Sequence, residues 1–289
     1  MKIDFVPDRQ PKRPPPRPLV DPRNRLILFW MHRCGSTTGH LWFFEIAGWK
    51  DRMRGSRASD LARMWYAEHP EVYRNLHEYY RDPSFIKVAI VRHPLFRAVS
   101  SFTVVTDTKS GAQWRAVAKS LRSPDDERRI TFLEFLDFLE AIDLAGANYH
   151  WRLQTAQDWY DIPIPDIQIV RLESIQEGLE QICRQLGKRP PGLRTNSAQS
   201  VSRTRIPPAE LVNFTRADFA RAFGHDLRGV IRFPEYSNFL TPDTITRLVR
   251  LYQRDFARLQ YAPDLPREMR RNSVFYWLRS RNWPASIRP

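Results

Sequence analysis

The sequence predicts an α/β fold, with a mostly parallel central sheet flanked by helices. Three observations predict it. Short continuous apolar runs recur at residues 26–31 (LILFWM), 85–91 (FIKVAIV) and 167–172 (IQIVRL). Each has the length of a buried strand and falls short of an ordinary helix. The stretches between them have helical apolar spacing, and strands separated by helices pack as a parallel sheet. The composition can fill such a core. Of 289 residues 42% are hydrophobic, with 17 Phe, 10 Tyr and 9 Trp, which excludes a chain disordered throughout.

In chain order, residues 1–24 read as a flexible arm. Its core, PDRQPKRPPPRPLVDPRN, has no periodicity, and its prolines fix φ and remove donors. The first strand, 26–31, runs into a polar loop, HRCGST. A helix is expected over 38–48, with Leu41, Phe44 and Ala47 or Trp49 on one side. Residues 58–80 are mainly helical, interrupted at His69-Pro70. The second strand ends in Arg92-His93-Pro94, and a helix follows over 95–105. Residues 108–130 are polar and basic and carry no assignment. The segment TFLEFLDFLEAI (131–142) has helical spacing. After the third strand a helix runs over 174–186, with Ser174 as N-cap, Glu177 completing a capping box and Gly187 as the stop. Residues 188–208 read as a long loop, and 211–223 and 244–259 as helices. There is no internal repeat. The expected domain spans 25–261, followed by a basic, aromatic tail over 262–289.

The net charge of +14, from 46 Lys and Arg against 32 Asp and Glu, favours anionic partners. Arg dominates, and its planar fork suits phosphate and sulfate oxygens. Two cysteines, Cys34 and Cys183, are too few for a disulfide framework, and no Cys/His cluster has zinc-ligand spacing, so no metal is expected. No apolar run follows the basic N-terminus as in a secretory signal, and the longest apolar stretch is too short to span a bilayer. A soluble, cytoplasmic protein without a transmembrane segment is the expectation.

Two constellations carry chemistry. In LILFWM-HRCGSTT a strand feeds a short Gly-containing loop and then a helix. Such a turn aims backbone N–H groups at whatever sits above the helix start, where anions bind. Gly35 would let the backbone approach a phosphate, Ser36, Thr37 and Thr38 add hydroxyls, and Arg33 adds a fixed charge. The GxxxxGK[ST] loop is absent. Alone, the segment fits an ordinary capped strand–helix turn equally well. In FIKVAIV-RHPLFRAV-SSF, Arg92 leaves a buried strand end, where open α/β sheets bind ligands. Ser100 lies eight residues on, about two helical turns from Pro94. An isolated pair of this kind would more simply be a carboxylate-paired Arg and a small packing Ser.

Together and in this order, the two resemble the signatures of sulfotransferases that use 3′-phosphoadenylyl sulfate (PAPS). The resemblance implies a P-loop-like sulfotransferase fold. It implies that Arg33, Cys34, Gly35, Ser36, Thr37 and Thr38 hold the 5′-phosphosulfate, and that Arg92 and Ser100 hold the 3′-phosphate. The Arg-x-Gly-Ser form is similar to that of carbohydrate sulfotransferases, Golgi-type and bacterial. Three further stretches resemble that branch: NYHWRLQT (148–155), IQIVRLESI (167–175) and LTPDTITRLVRLYQRDFARLQY (240–261). The first-loop basic residue is Arg where many relatives have Lys. The membrane anchor of the Golgi members is not found.

The implied reaction is in-line attack of an acceptor hydroxyl on sulfur, with adenosine 3′,5′-bisphosphate leaving and protein groups positioning and stabilising charge. A histidine would serve as base. His69, between the two motifs, is the first candidate, with His40 and His150 in reserve. Arg203 and Arg205, in SVSRTRIPP, are candidates to fold over the nucleotide. Glu173 reads as a structural partner. The acceptor implied is a carbohydrate or another hydroxyl compound, possibly anionic. Two rivals stand beside this reading. One is a different nucleotide-dependent phosphotransferase, which lacks a P-loop Lys and a magnesium carboxylate pair. The other is a basic nucleic-acid- or polyanion-binding protein, which leaves the two phosphate-shaped motifs unexplained. The tail segment VFYWLRSRNW resembles an interfacial amphipathic helix, open to a peripheral membrane contact, a homodimer contact or packing on the domain.

Overall fold

All three apolar runs form strands, and a fourth strand precedes them. A computed structural model describes residues 16–107, 117, 130–156, 164, 166–192 and 236–264. Its sheet has the order β1 (Leu19–Asp21), β2 (Leu26–Phe29), β3 (Ile86–Val91) and β4 (Ile167–Arg171). β2, β3 and β4 run parallel, with Leu28 beside Val88 and Ala89 beside Ile169. β1 is antiparallel to β2, pairing Val20 with Ile27.

β1 corrects the expected arm, which gives way well before residue 24. Leu19 and Val20 are fully buried, and burying two such side chains outweighs the flanking prolines. Pro18 and Pro22 sit just outside the strand, where a missing N–H costs no ladder bond. The Asp21 carboxylate then accepts from the Arg23 and Asn24 amides at 3.0 and 3.2 Å and closes the turn into β2.

The described residues form two compact units. Those within 14–93 and 154–196 form the first, which contains the sheet; those within 94–153 and 197–289 form the second. In the first unit, α1 (Ser36–Ile46), α2 (Ala58–Glu68) and α7 (Ile175–Gln185) bury Trp42, Phe43, Trp65, Leu179 and Ile182 against Leu28, Val88, Ile90 and Val170. On the other face, α3 (Pro70–Arg74) and α4 (Leu76–Arg81) supply Val72 and Tyr80, which pack with Ile27, Phe29 and Ala89. A Cβ on Gly39 would stand 2.6 Å from Ile90 Cδ1, so glycine there lets α1 lie close on the sheet. Both cysteines are buried thiols, and Trp42 Nε1 donates to Cys183 Sγ at 3.3 Å.

The second unit contains α5 (Pro94–Asp107), α6 (Phe132–Glu140), a 3₁₀ turn (Tyr236–Phe239), α8 (Pro242–Leu251) and α9 (Gln253–Leu259). Phe102 packs against Phe132, Phe135 and Phe239. Thr131 with Glu134, and Thr241 with Thr244, form capping boxes. The box expected at Ser174 and Glu177 is not formed. A 3₁₀ turn, Leu172–Ser174, leads into α7, and Ser174 at φ −129°, ψ 38° lacks the extended backbone that aims an N-cap oxygen at the helix start. Among the described residues no helix is long and apolar enough to cross a membrane.

Candidate functional site

β2 and β3 are parallel neighbours, so both chains leave the sheet at the same edge. From β2, residues 30–35 turn the chain into α1. Arg33 (φ 69°) and Gly35 (φ 77°) both adopt the left-handed conformation. For Arg33 this stores strain, of the kind found where a loop is held for a purpose. Gly35 is required by its φ, and a Cβ there would also meet Leu172 Cδ1 at 2.5 Å, so the tip of that side chain would have to move. Leu172 thus lies where a side chain at position 35 would have to go.

α1 begins at Ser36, two residues earlier than its pattern predicts, which brings Ser36 and Thr37 into its first turn. The first turn has no acidic residue and no side-chain cap among the described residues. The first backbone bond runs from Gly39 N–H to the Gly35 carbonyl at 2.9 Å. The amides of Ser36, Thr37 and Thr38 precede that bond and lie at the positive end of the helix dipole. Ser36 and Thr38 are half-exposed and Thr37 is exposed. This end of the helix can take an anion.

The end of β3 is held by side chains from distant parts of the sequence. Gln154, 2% exposed, accepts from the Arg92 N–H through Oε1 at 2.9 Å and donates to the Arg92 carbonyl through Nε2 at 2.9 Å. The same Oε1 accepts from the Cys34 thiol at 3.0 Å. Glu173 Oε1 accepts from the His93 N–H at 2.9 Å, the structural role expected of it. The half-buried Arg92 side chain donates through Nη1 to the Arg33 carbonyl at 3.2 Å, so the guanidinium reaches the β2–α1 loop. These braces escaped the sequence reading. Gln154 stands inside the stretch NYHWRLQT, but no spacing relates it to Arg92 or Cys34.

In the second unit Ser100 is buried on α5 at 1% exposure. The segment 148–153 is tied down there by its carbonyls. Arg97, itself 1% exposed, donates to the Arg152 and Tyr149 carbonyls at 2.6 and 3.1 Å. Ser101 donates to the His150 carbonyl at 2.6 Å, and the Tyr252 hydroxyl to that of Trp151 at 3.0 Å. Burial pushes the Tyr252 phenol above its ordinary range. Trp151 is buried against Phe135 and Phe138, a core position. His150 is half-buried, and its N–H donates to Asn148 Oδ1 at 3.0 Å.

The other two candidate histidines are placed unfavourably for a base. His69 stands at the N-cap position of α3 without a side-chain cap bond, and stacks on Trp65 at 4.0 Å, near Trp49. Trp49 packs on Phe44 at the C-terminal end of α1. His69 thus lies one helix length from the loop at Arg33–Thr38, about 16 Å for an 11-residue helix. Its Nδ1 is 2.9 Å from the Trp65 carbonyl, an acceptor, so Nδ1 carries the proton and is engaged. His40 is near the loop but sealed. It is 4% exposed, edge-on to Trp30 at 4.5 Å, and its Nε2 has no hydrogen-bond partner among the described residues. Burial pushes its pKa down to about 4, against a weaker opposing bond to the Ala58 backbone. Arg203, Arg205, the first fifteen residues and the tail segment VFYWLRSRNW lie outside the described residues.

The chain belongs to the sulfotransferase family, whose family model matches residues 16–262. The α/β sheet with its mostly parallel strands and flanking helices is consistent with that family's fold. The chain is accordingly a transferase of sulfuryl groups. No curated protein and no solved structure matches it.

Proposed function

We propose that this sulfotransferase takes the sulfuryl group from 3′-phosphoadenylyl sulfate and transfers it to a hydroxyl of a carbohydrate. The observation that carries the reading is the uncapped start of α1, with the Arg92 guanidinium reaching the loop before it. The amides and hydroxyls of Ser36, Thr37 and Thr38, with Arg33, take the 5′-phosphosulfate. Arg92 and Ser100 take the 3′-phosphate.

The acceptor oxygen forms a bond to sulfur as the bond from sulfur to the bridging phosphate oxygen breaks. The electron pair leaves on adenosine 3′,5′-bisphosphate. The α1 dipole, the loop amides and Arg33 stabilise the charge that grows there. The hydroxyl proton goes to a base, which we assign to His150. It is the remaining candidate once His69 is tied to Trp65 and His40 is sealed and poorly basic. The carbohydrate acceptor rests on the resemblance of the three later stretches.

The test is calorimetric titration with adenosine 3′,5′-bisphosphate and adenosine 5′-monophosphate, followed by transfer from labelled donor to a glycan panel beside phenols and tyrosine peptides. The bisphosphate should bind much more tightly; equal affinities would overturn the donor assignment. With donor saturating, His150→Ala should lower turnover by about 10²–10⁴-fold at unchanged donor affinity, and His69→Ala should leave it intact.

A further inference from the structure

Gln154 occupies an unusual position among the groups of the strand ends. Its amide pairs with both backbone groups of Arg92, N–H and C=O, at 2.9 Å each, as a neighbouring strand would. Beyond Val91 the chain has left the ladder with β4, whose register ends at Val91 and Arg171. The side-chain amide therefore continues the pairing by one residue where the sheet no longer can. The oxygen that holds the Arg92 N–H also holds the Cys34 thiol, one residue from Arg33 and one from Gly35. Arg92 in turn grips the Arg33 carbonyl. Gln154, Arg92 and the β2–α1 loop thus form a closed circuit of hydrogen bonds. Gln154 and Cys34 are almost entirely buried, which strengthens such bonds and makes an unpaired member costly.

We propose that Gln154 is a positioning residue that fixes the Arg92 backbone relative to the phosphosulfate loop, so that the two ends of the donor are read at one set spacing. The proposal rests on the donor assignment above. Gln154 itself touches no donor atom in this scheme. A glutamine is suited to the task because one planar group both donates and accepts. Glutamate in its place keeps the shape but sets an oxygen against the Arg92 carbonyl; leucine keeps bulk and loses every bond.

The experiment measures the ratio of adenosine 3′,5′-bisphosphate to 5′-monophosphate affinity by calorimetry in wild type, Gln154→Glu, Gln154→Leu, Arg92→Ala and the Arg92→Ala/Gln154→Leu double variant. Thermal melting identifies folded variants, and Gln154→Glu serves if Gln154→Leu does not fold. The expected result is a ratio lowered about tenfold by Gln154→Leu and less by Gln154→Glu, with 5′-monophosphate affinity nearly constant. In the Arg92→Ala background Gln154→Leu should then add nothing, because its effect passes through Arg92. A wild type without preference for the bisphosphate overturns the donor assignment and this proposal with it. A wild-type preference that survives in a folded Gln154 variant, or an effect that adds in full to that of Arg92→Ala, overturns the positioning role alone.

Discussion

The two strand ends at the candidate site share the bonds of Arg92 and Gln154 but differ in what chiefly shapes each one. After β2 the chain is shaped chiefly by its own backbone, through left-handed Arg33 and Gly35, and by the fit of Gly35 against Leu172. After β3 the chain is shaped by side chains, with Gln154 on Arg92 and Glu173 on His93. A loop set by its backbone fails abruptly when one residue cannot adopt its φ. An end braced by several hydrogen bonds fails in steps, one bond at a time.

The largest effect should come from breaking the first kind of support. Gly35→Val forces a β-branched residue to φ 77° and into Leu172. Backbone strain of about 1–3 kcal/mol and overpacking of similar size should add, lowering the melting temperature and removing nucleotide binding. Leu172→Ala in the same chain should recover part of the stability, since it relieves the clash but not the φ. Full nucleotide affinity in Gly35→Val would mean that the loop is not backbone-set.

Next in size is an acid weakness on the same side. His40 is neutral in the folded chain, with a pKa of about 4 against 6.5 when exposed. Below pH 6.5 the unfolded chain gains a proton that the folded chain refuses. The stability present above pH 6.5 is therefore lost as pH falls toward 4, by about 3 kcal/mol at most. Urea unfolding at pH 7 and pH 5 should show a steeper loss in wild type than in His40→Leu, and equal losses would remove His40 as the cause.

On the braced side, Arg92→Ala should erase most of the bisphosphate preference, by about 1.5–3 kcal/mol, while the melting temperature changes little. An unaltered preference would assign the 3′-phosphate to other residues. Glu173→Gln should have the smallest effect, because an acceptor oxygen remains for the His93 N–H. Turnover and melting should stay close to wild type. A loss of about a hundredfold in turnover at unchanged affinity would instead make Glu173 a catalytic residue.

The same contrast separates what could be read in the sequence from what could not. The β2–α1 loop was legible because its determinants are contiguous, HRCGSTT between an apolar run and a helix. The long strands were legible for the same reason. β1 was not, since three residues between prolines carry too little pattern to outweigh a Pro/Arg-rich neighbourhood. The braces were hidden by sequence distance, as Gln154 lies 62 residues from Arg92 and Glu173 lies 80 from His93. His69 misled for a related reason. Its place between two motifs in the chain carries no information about which end of α1 it meets, and the aromatic cluster of Phe44, Trp49 and Trp65 sets it at the far end.

The long reach of Gln154 and Glu173 also orders events during synthesis. β1, β2 and β3 occupy consecutive positions in both chain and sheet, so they can pair as soon as residue 91 has emerged. The bonds that fix Arg92 and His93 cannot exist until residues 154 and 173 have followed. The chain up to residue 91 therefore contains three of the four strands but not the side chains that set the site, and a fragment ending near residue 150 would carry both phosphate motifs in full without Gln154 and Glu173.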